Sequence, residues 1–75
     1  MEPDTKKIDE AVLALMYLTV HDRCRAWKEF DWDTTNRLYR QGLIEDPVNK
    51  TKSVILTEHG LEEAERLFNR LFAKE

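Results

Sequence analysis

Four polar side chains close together, Asn36, Arg37, Arg40 and Gln41, carry the most distinctive chemistry in this 75-residue chain. Arginine can grip the O6 and N7 edge of guanine, and asparagine or glutamine the N6 and N7 edge of adenine. Lys50 and Lys52 follow in a polar loop and have the chemistry to neutralise phosphates. The same six residues also suit a solvated helix face and a soluble loop. The charge distribution favours that second reading. The net charge is −3, made up of −2 over residues 1–20, +1 over 21–52 and −2 over 53–75. The middle third is the least acidic, yet it lacks the basic stripe that supplies most non-specific DNA affinity.

Other reactive residue types are few. His21-Asp22 matches the metal-binding dipeptide of phosphohydrolases, but only His59 and Cys24 remain as soft ligands, and no pair has zinc-motif spacing. His21 is expected to close the first helix, where a partial positive charge is tolerated. Cys24 lies between Arg23 and Arg25, which would lower a thiol pKa, but no base accompanies it, so a buried or idle role is expected. Trp27, Phe30 and Trp32 could stack on bases; in so small a domain they are expected to be core. No nucleophile and base, glycine-rich phosphate loop or acid pair stands out. The expectation is a protein that is not an enzyme, with no cofactor, no metal and no identified small-molecule ligand.

The elements that must position these residues follow from periodicity. Asp4 or Thr5 can cap a first helix running to about His21. Ile8, Val12, Leu15 and Thr19 follow helical spacing, as do Ala11, Ala14 and Leu18, while Leu13, Tyr17 and Val20 fill much of the remaining circumference. A helix apolar nearly all round needs cover on most sides. Two arrangements provide it: a fully enclosed helix in a monomer, or a homodimer packed through helices 1 and 3. A second helix is expected over about residues 32–41, capped by Asp31 or Asp33 and closed by Gly42 in a left-handed conformation. Leu43–Glu45 and Ser53–Leu56 read as strands pairing antiparallel across residues 46–52, with Asp46-Pro47 ending the first. Thr57 should cap a third helix with the stripe Leu61, Ala64, Leu67, Phe68, Leu71 and Phe72, supported by a Glu62–Arg66 pair. The sum is one domain over residues 1–75, mainly α with a small β-hairpin: three principal helices and a two-stranded antiparallel wing between helices 2 and 3.

Size and composition set bounds. Hydrophobic residues make up 41% and charged residues 36%, a globular mix. A lone cysteine excludes an intrachain disulfide and suits a reducing compartment. The start of the chain is polar, and Ala11–Leu18 is too short for a membrane span, so a cytoplasmic location without membrane contact is expected.

The order of pieces resembles the second half of winged helix-turn-helix domains of the multiple-antibiotic-resistance and phenolic-acid-repressor regulators. Gly42-Leu43-Ile44 closes the recognition helix there, residues 46–52 match the wing, and Leu56-Thr57-Glu58-His59-Gly60 matches the step into the next helix. The likeness covers residues 32–72. It implies a DNA-associated regulatory protein, with Asn36, Arg37, Arg40, Gln41, Lys50 and Lys52 on the nucleic acid. The first half departs from that pattern: only residues 21–31 are available for the helix that should precede the reader. The whole chain, through "HDRCRAWKEFDW" and "DPVNKTKSVILTEHG", also resembles a family of short bacterial proteins known only as a domain of unknown function. That likeness implies a winged-helix-like fold and brings no activity, cofactor or substrate. The competing reading is a protein-interaction or homodimerisation module with no nucleic-acid activity.

Overall fold

The computed structural model describes residues 2–27, 30–48 and 53–74. Helix α1 spans Thr5–Leu18, strand β1 Arg25–Trp27, helix α2 Trp32–Arg40, strand β2 Ser53–Ile55 and helix α3 Glu58–Phe72. The protein is therefore mainly α with three helices and a small two-stranded antiparallel sheet.

Each helix begins on a side chain that satisfies an otherwise orphaned N–H three residues on. Asp4 accepts from the Lys7 amide at 3.2 Å, Asp31 from Thr34 at 3.3 Å, and Thr57 from Gly60 at 2.9 Å. Helix α1 ends at Leu18, three residues earlier than its apolar pattern suggests. Its cap, Thr19, donates its hydroxyl to the Met16 carbonyl at 3.0 Å, and the same oxygen accepts the Trp27 amide at 3.0 Å. His21 consequently lies beyond the helix, bridged to Arg25 across a tight turn in which Asp22 and Arg23 hold positive φ values of 47° and 74°.

Helix α2 stops as its sequence predicts. Gly42 has φ +75°, its amide donates to the Tyr39 carbonyl at 3.0 Å, and the Leu43 amide donates to Leu38 at 3.1 Å. These two bonds make a Schellman closure. Leu38 and Leu43 are both in the buried core.

The segment between α2 and α3 folds back antiparallel, as expected. Ile44 bridges Leu56, and the Glu45 amide donates to the Ile55 carbonyl at 2.8 Å. The longer ladder of β2, however, is made with β1: Arg25 pairs with Ile55, Ala26 with Val54 and Trp27 with Ser53. The difference has a physical reason. Ala26, fully buried, lets β1 sit close over the core, whereas Asp46-Pro47 cuts the other partner short. Residues 21–27, hard to assign by periodicity, thus form a turn and a strand.

The core gathers Leu13, Ala14 and Met16 of α1, Ala26, Leu38, Leu43 and Ile44, Val54 and Leu56, and Ala64 and Leu67 of α3. Helix α1 packs chiefly on α3 and more lightly on α2. Phe30 packs against this core, but Trp27 and Trp32, expected inside, are mostly exposed. Trp27 is on the half of a three-residue strand that faces outward, and Trp32 opens α2 on its solvent side. Leu71 and Phe72, at the end of α3, are also half-exposed.

Candidate functional site

The four polar residues of α2 divide into two pairs, each one helical turn apart. Arg37 and Gln41 face α1. The Arg37 Nε donates to both carboxylate oxygens of Asp9, at 2.9 and 3.0 Å, and its terminal nitrogen lies 2.8 Å from Asp9 Oδ1. That nitrogen also donates to the Thr34 hydroxyl at 3.1 Å, and Gln41 Nε2 donates to Asp9 Oδ2 at 3.4 Å. Asp9 is buried on α1, so this bidentate pair joins α1 to α2. Hydrogen bonding to Asp9 raises the Arg37 pKa above its ordinary range; partial burial opposes this, and the charges of Asp9, Asp31 and Asp33 add to the rise. Asn36 is half-buried and Arg40 exposed. Lys50 and Lys52 lie outside the described residues. The structure thus brings Arg37 and Gln41 together on an acid of the chain itself and sets Asn36 and Arg40 apart from them. Asp9 is the residue that sequence reasoning missed. Its signal was spacing: an acid in line with Leu13 and Met16 on the inward face of an apolar helix needs a buried cation.

Beside this pair a cleft of about 430 Å³ opens between α1, the end of α2 and α3. Its apolar floor includes Leu13 and Leu67, and its walls carry both signs of charge. These charges meet in pairs. Arg66 holds Glu63 at 2.7 Å, one residue away from the expected partner Glu62, and Arg70 lies 3.9 Å from Glu10. Hydrogen bonding from Arg66 lowers the Glu63 pKa, with the Arg66 and His59 charges assisting and desolvation opposing. Among the described residues no three His, Cys, Asp or Glu side chains are placed to hold a metal ion. Cys24 is half-buried as a free thiol, and its carbonyl accepts the Leu56 amide at 2.8 Å.

The outer face of α1 is of a different character. Ile8, Ala11, Leu15 and Leu18 follow one another at spacings of three, four and three, and all four are at least partly exposed. Leu18 is 66% exposed. Between Lys7 and His21 the helix and its cap carry only two charged residues, Asp9 and Glu10. Asp9 is buried against α2, and Glu10 is half-buried towards Arg70. The solvent side is left without charge for three turns. Beyond Leu18 a shallow hollow is lined by Leu18, Thr19, Val20, His21 and Trp27. Near the same end of α1, Tyr17 with Phe68 and Phe72 of α3 forms a chain of ring contacts at 5.3 and 5.5 Å.

Residues 4–74 match the family described as Domain of unknown function (DUF6429). The chain belongs to that family. It is 60% identical over 74 residues to an uncharacterized protein, y4hR, of Sinorhizobium fredii, covering 99% of this chain and all of that relative. No solved structure matches it. The short bacterial family read from the two motifs is therefore the right one, while the likeness to winged helix-turn-helix regulators gains no further support. Residues 21–27 and 30–31 hold a turn, a strand and a bend where such a reader needs its preceding helix. No helix of the described residues is long and apolar enough to cross a membrane.

Proposed function

We propose that this member of the family is a protein-interaction module whose working surface is the outer face of α1. The uncharged ridge from Ile8 to Leu18 carries this reading. A short chain that exposes apolar residues in one continuous line, and not singly, has the surface of a docking partner. Association with DNA through α2 fits less well. Arg37 and Gln41 are engaged with Asp9, so reading a base with either costs the contact that joins α1 to α2.

A photo-reactive amino acid placed at Leu15 tests the reading in cells that produce the full chain. Illumination is expected to give a discrete adduct of higher mass. The same probe at exposed Glu65 should give none, and adding Leu18→Glu should remove the Leu15 adduct. Absence of an adduct at Leu15 overturns the proposal.

A further inference from the structure

We infer that the occupant of this ridge is a second copy of the same chain, with the two α1 helices antiparallel across a two-fold axis. This rests on the reading of α1 as a docking surface and names its partner. Three observations support a second copy.

The first is self-complementarity. The ridge has the alternating three-and-four spacing of a coiled-coil seam. Run antiparallel, it sets Ile8 against the partner's Leu18 and Ala11 against the partner's Leu15. Each small residue then faces a large one and each end residue faces its counterpart, so one surface fits its own two-fold image. The hollow beside Leu18, with Val20 and Trp27 on its wall, receives the partner's Ile8.

Charge is the second. Both signs of charge are exposed at each end, Glu2, Asp4, Lys6 and Lys7 at the start of the ridge and Asp22 and Arg23 just past its end. These ends balance, so the helix dipoles decide: the antiparallel arrangement sets them in opposition, whereas a parallel one aligns like ends.

The third is area. The chain exposes 5607 Å². A compact protein of this mass exposes about 4800 Å². The difference, roughly 800 Å² over the whole surface, is equal in size to one partner's share of a standard interface.

Sedimentation equilibrium of the purified full chain is expected to give twice the chain mass of 8.9 kDa. Leu15→Glu and, separately, Leu18→Glu should each halve the apparent mass and leave the far-ultraviolet dichroism unchanged, since both side chains are outside the core. Direction is read by cross-linking in a Cys24→Ser background. Ile8→Cys chains mixed with Leu18→Cys chains should form a disulfide-linked pair, and Leu18→Cys chains alone should not. Efficient linking of Leu18→Cys to itself overturns the antiparallel arrangement. A wild-type mass of 8.9 kDa at all concentrations overturns the second copy. In that event, photo-adducts at Leu15 of some other mass leave the docking surface standing with a different occupant, whereas their absence removes both.

Discussion

Gly60 shows at the scale of one residue why two short motifs travel together in this sequence. A Cβ at Gly60 would overlap the Leu43 carbonyl oxygen. Around that contact the Thr57 amide donates to the Leu43 carbonyl at 3.1 Å, and the Thr57 hydroxyl donates to the Gly42 carbonyl at 2.7 Å. Gly42-Leu43-Ile44 and Leu56-Thr57-Glu58-His59-Gly60 are thus two halves of one joint between the end of α2 and the start of α3. Gly60→Ala, which sets a methyl group against backbone, is expected to destabilise the protein by about 3 kcal/mol or more. Gly42 meets no atom within 4 Å of an added Cβ, so Gly42→Ala should cost only the left-handed backbone strain, about 1 kcal/mol. Urea unfolding of both variants separates the two costs. Glu63 provides a second test. Its pKa is lower in the folded chain than in the unfolded one, so its pair with Arg66 stabilises the fold above the ordinary glutamate range near pH 4.3. That contribution is lost as pH falls through the folded-state value. Thermal melts from pH 7 to 3 should show a shallower acid limb for Glu63→Gln than for wild type.

At the scale of elements, the Asp9–Arg37 pair sets how α1 and α2 meet, and its two partners are not equivalent. The Arg37 side chain keeps about a third of its surface in water, while that of Asp9 keeps a tenth. Removing Asp9 lets the guanidinium turn outward. Removing Arg37 strands a buried carboxylate with only Gln41 beside it. Arg37→Ala is therefore expected to lower the thermal midpoint more than Asp9→Ala, and the double variant less than the sum of the two, as a double-mutant cycle by calorimetry would show. The same elements show what could be read from sequence. Helix starts at Asp4, Asp31 and Thr57 and the turn at Gly42 were legible, because caps act within four residues. The family was legible from its motifs. Strand β1 was not: three residues give no period, and its ladder partner lies 28 positions away. The engagement of Arg37 was hidden for the same reason, since nothing local to α2 points to an acid on α1. The outward position of Trp27 escaped too, since hydrophobicity alone does not say which side of a strand is covered.

The whole molecule is a thin body, 37 × 33 × 18 Å, in which α1 has an inner face in the core and an outer face without charge from Ile8 to Leu18. A disc of this size has few residues to cover a central helix on all sides, and in the arrangement inferred above a second copy would supply that cover. Among the described residues, several groups on the outer edges of the sheet are already bonded within the chain. One side of β2 is flanked by Leu43–Glu45, and on the outer side of β1 the Trp27 amide is held by the Thr19 hydroxyl while Arg25 is bonded to His21. One hydroxyl group therefore closes the Trp27 amide at this edge. Thr19→Val keeps the shape of the side chain but leaves the Trp27 N–H open beside an exposed indole, and incubation at high concentration should then yield thioflavin-positive fibrils that wild type does not form. A side chain that looks like an ordinary helix cap thus also seals the margin of a strand, so that one hydroxyl finishes two elements at once.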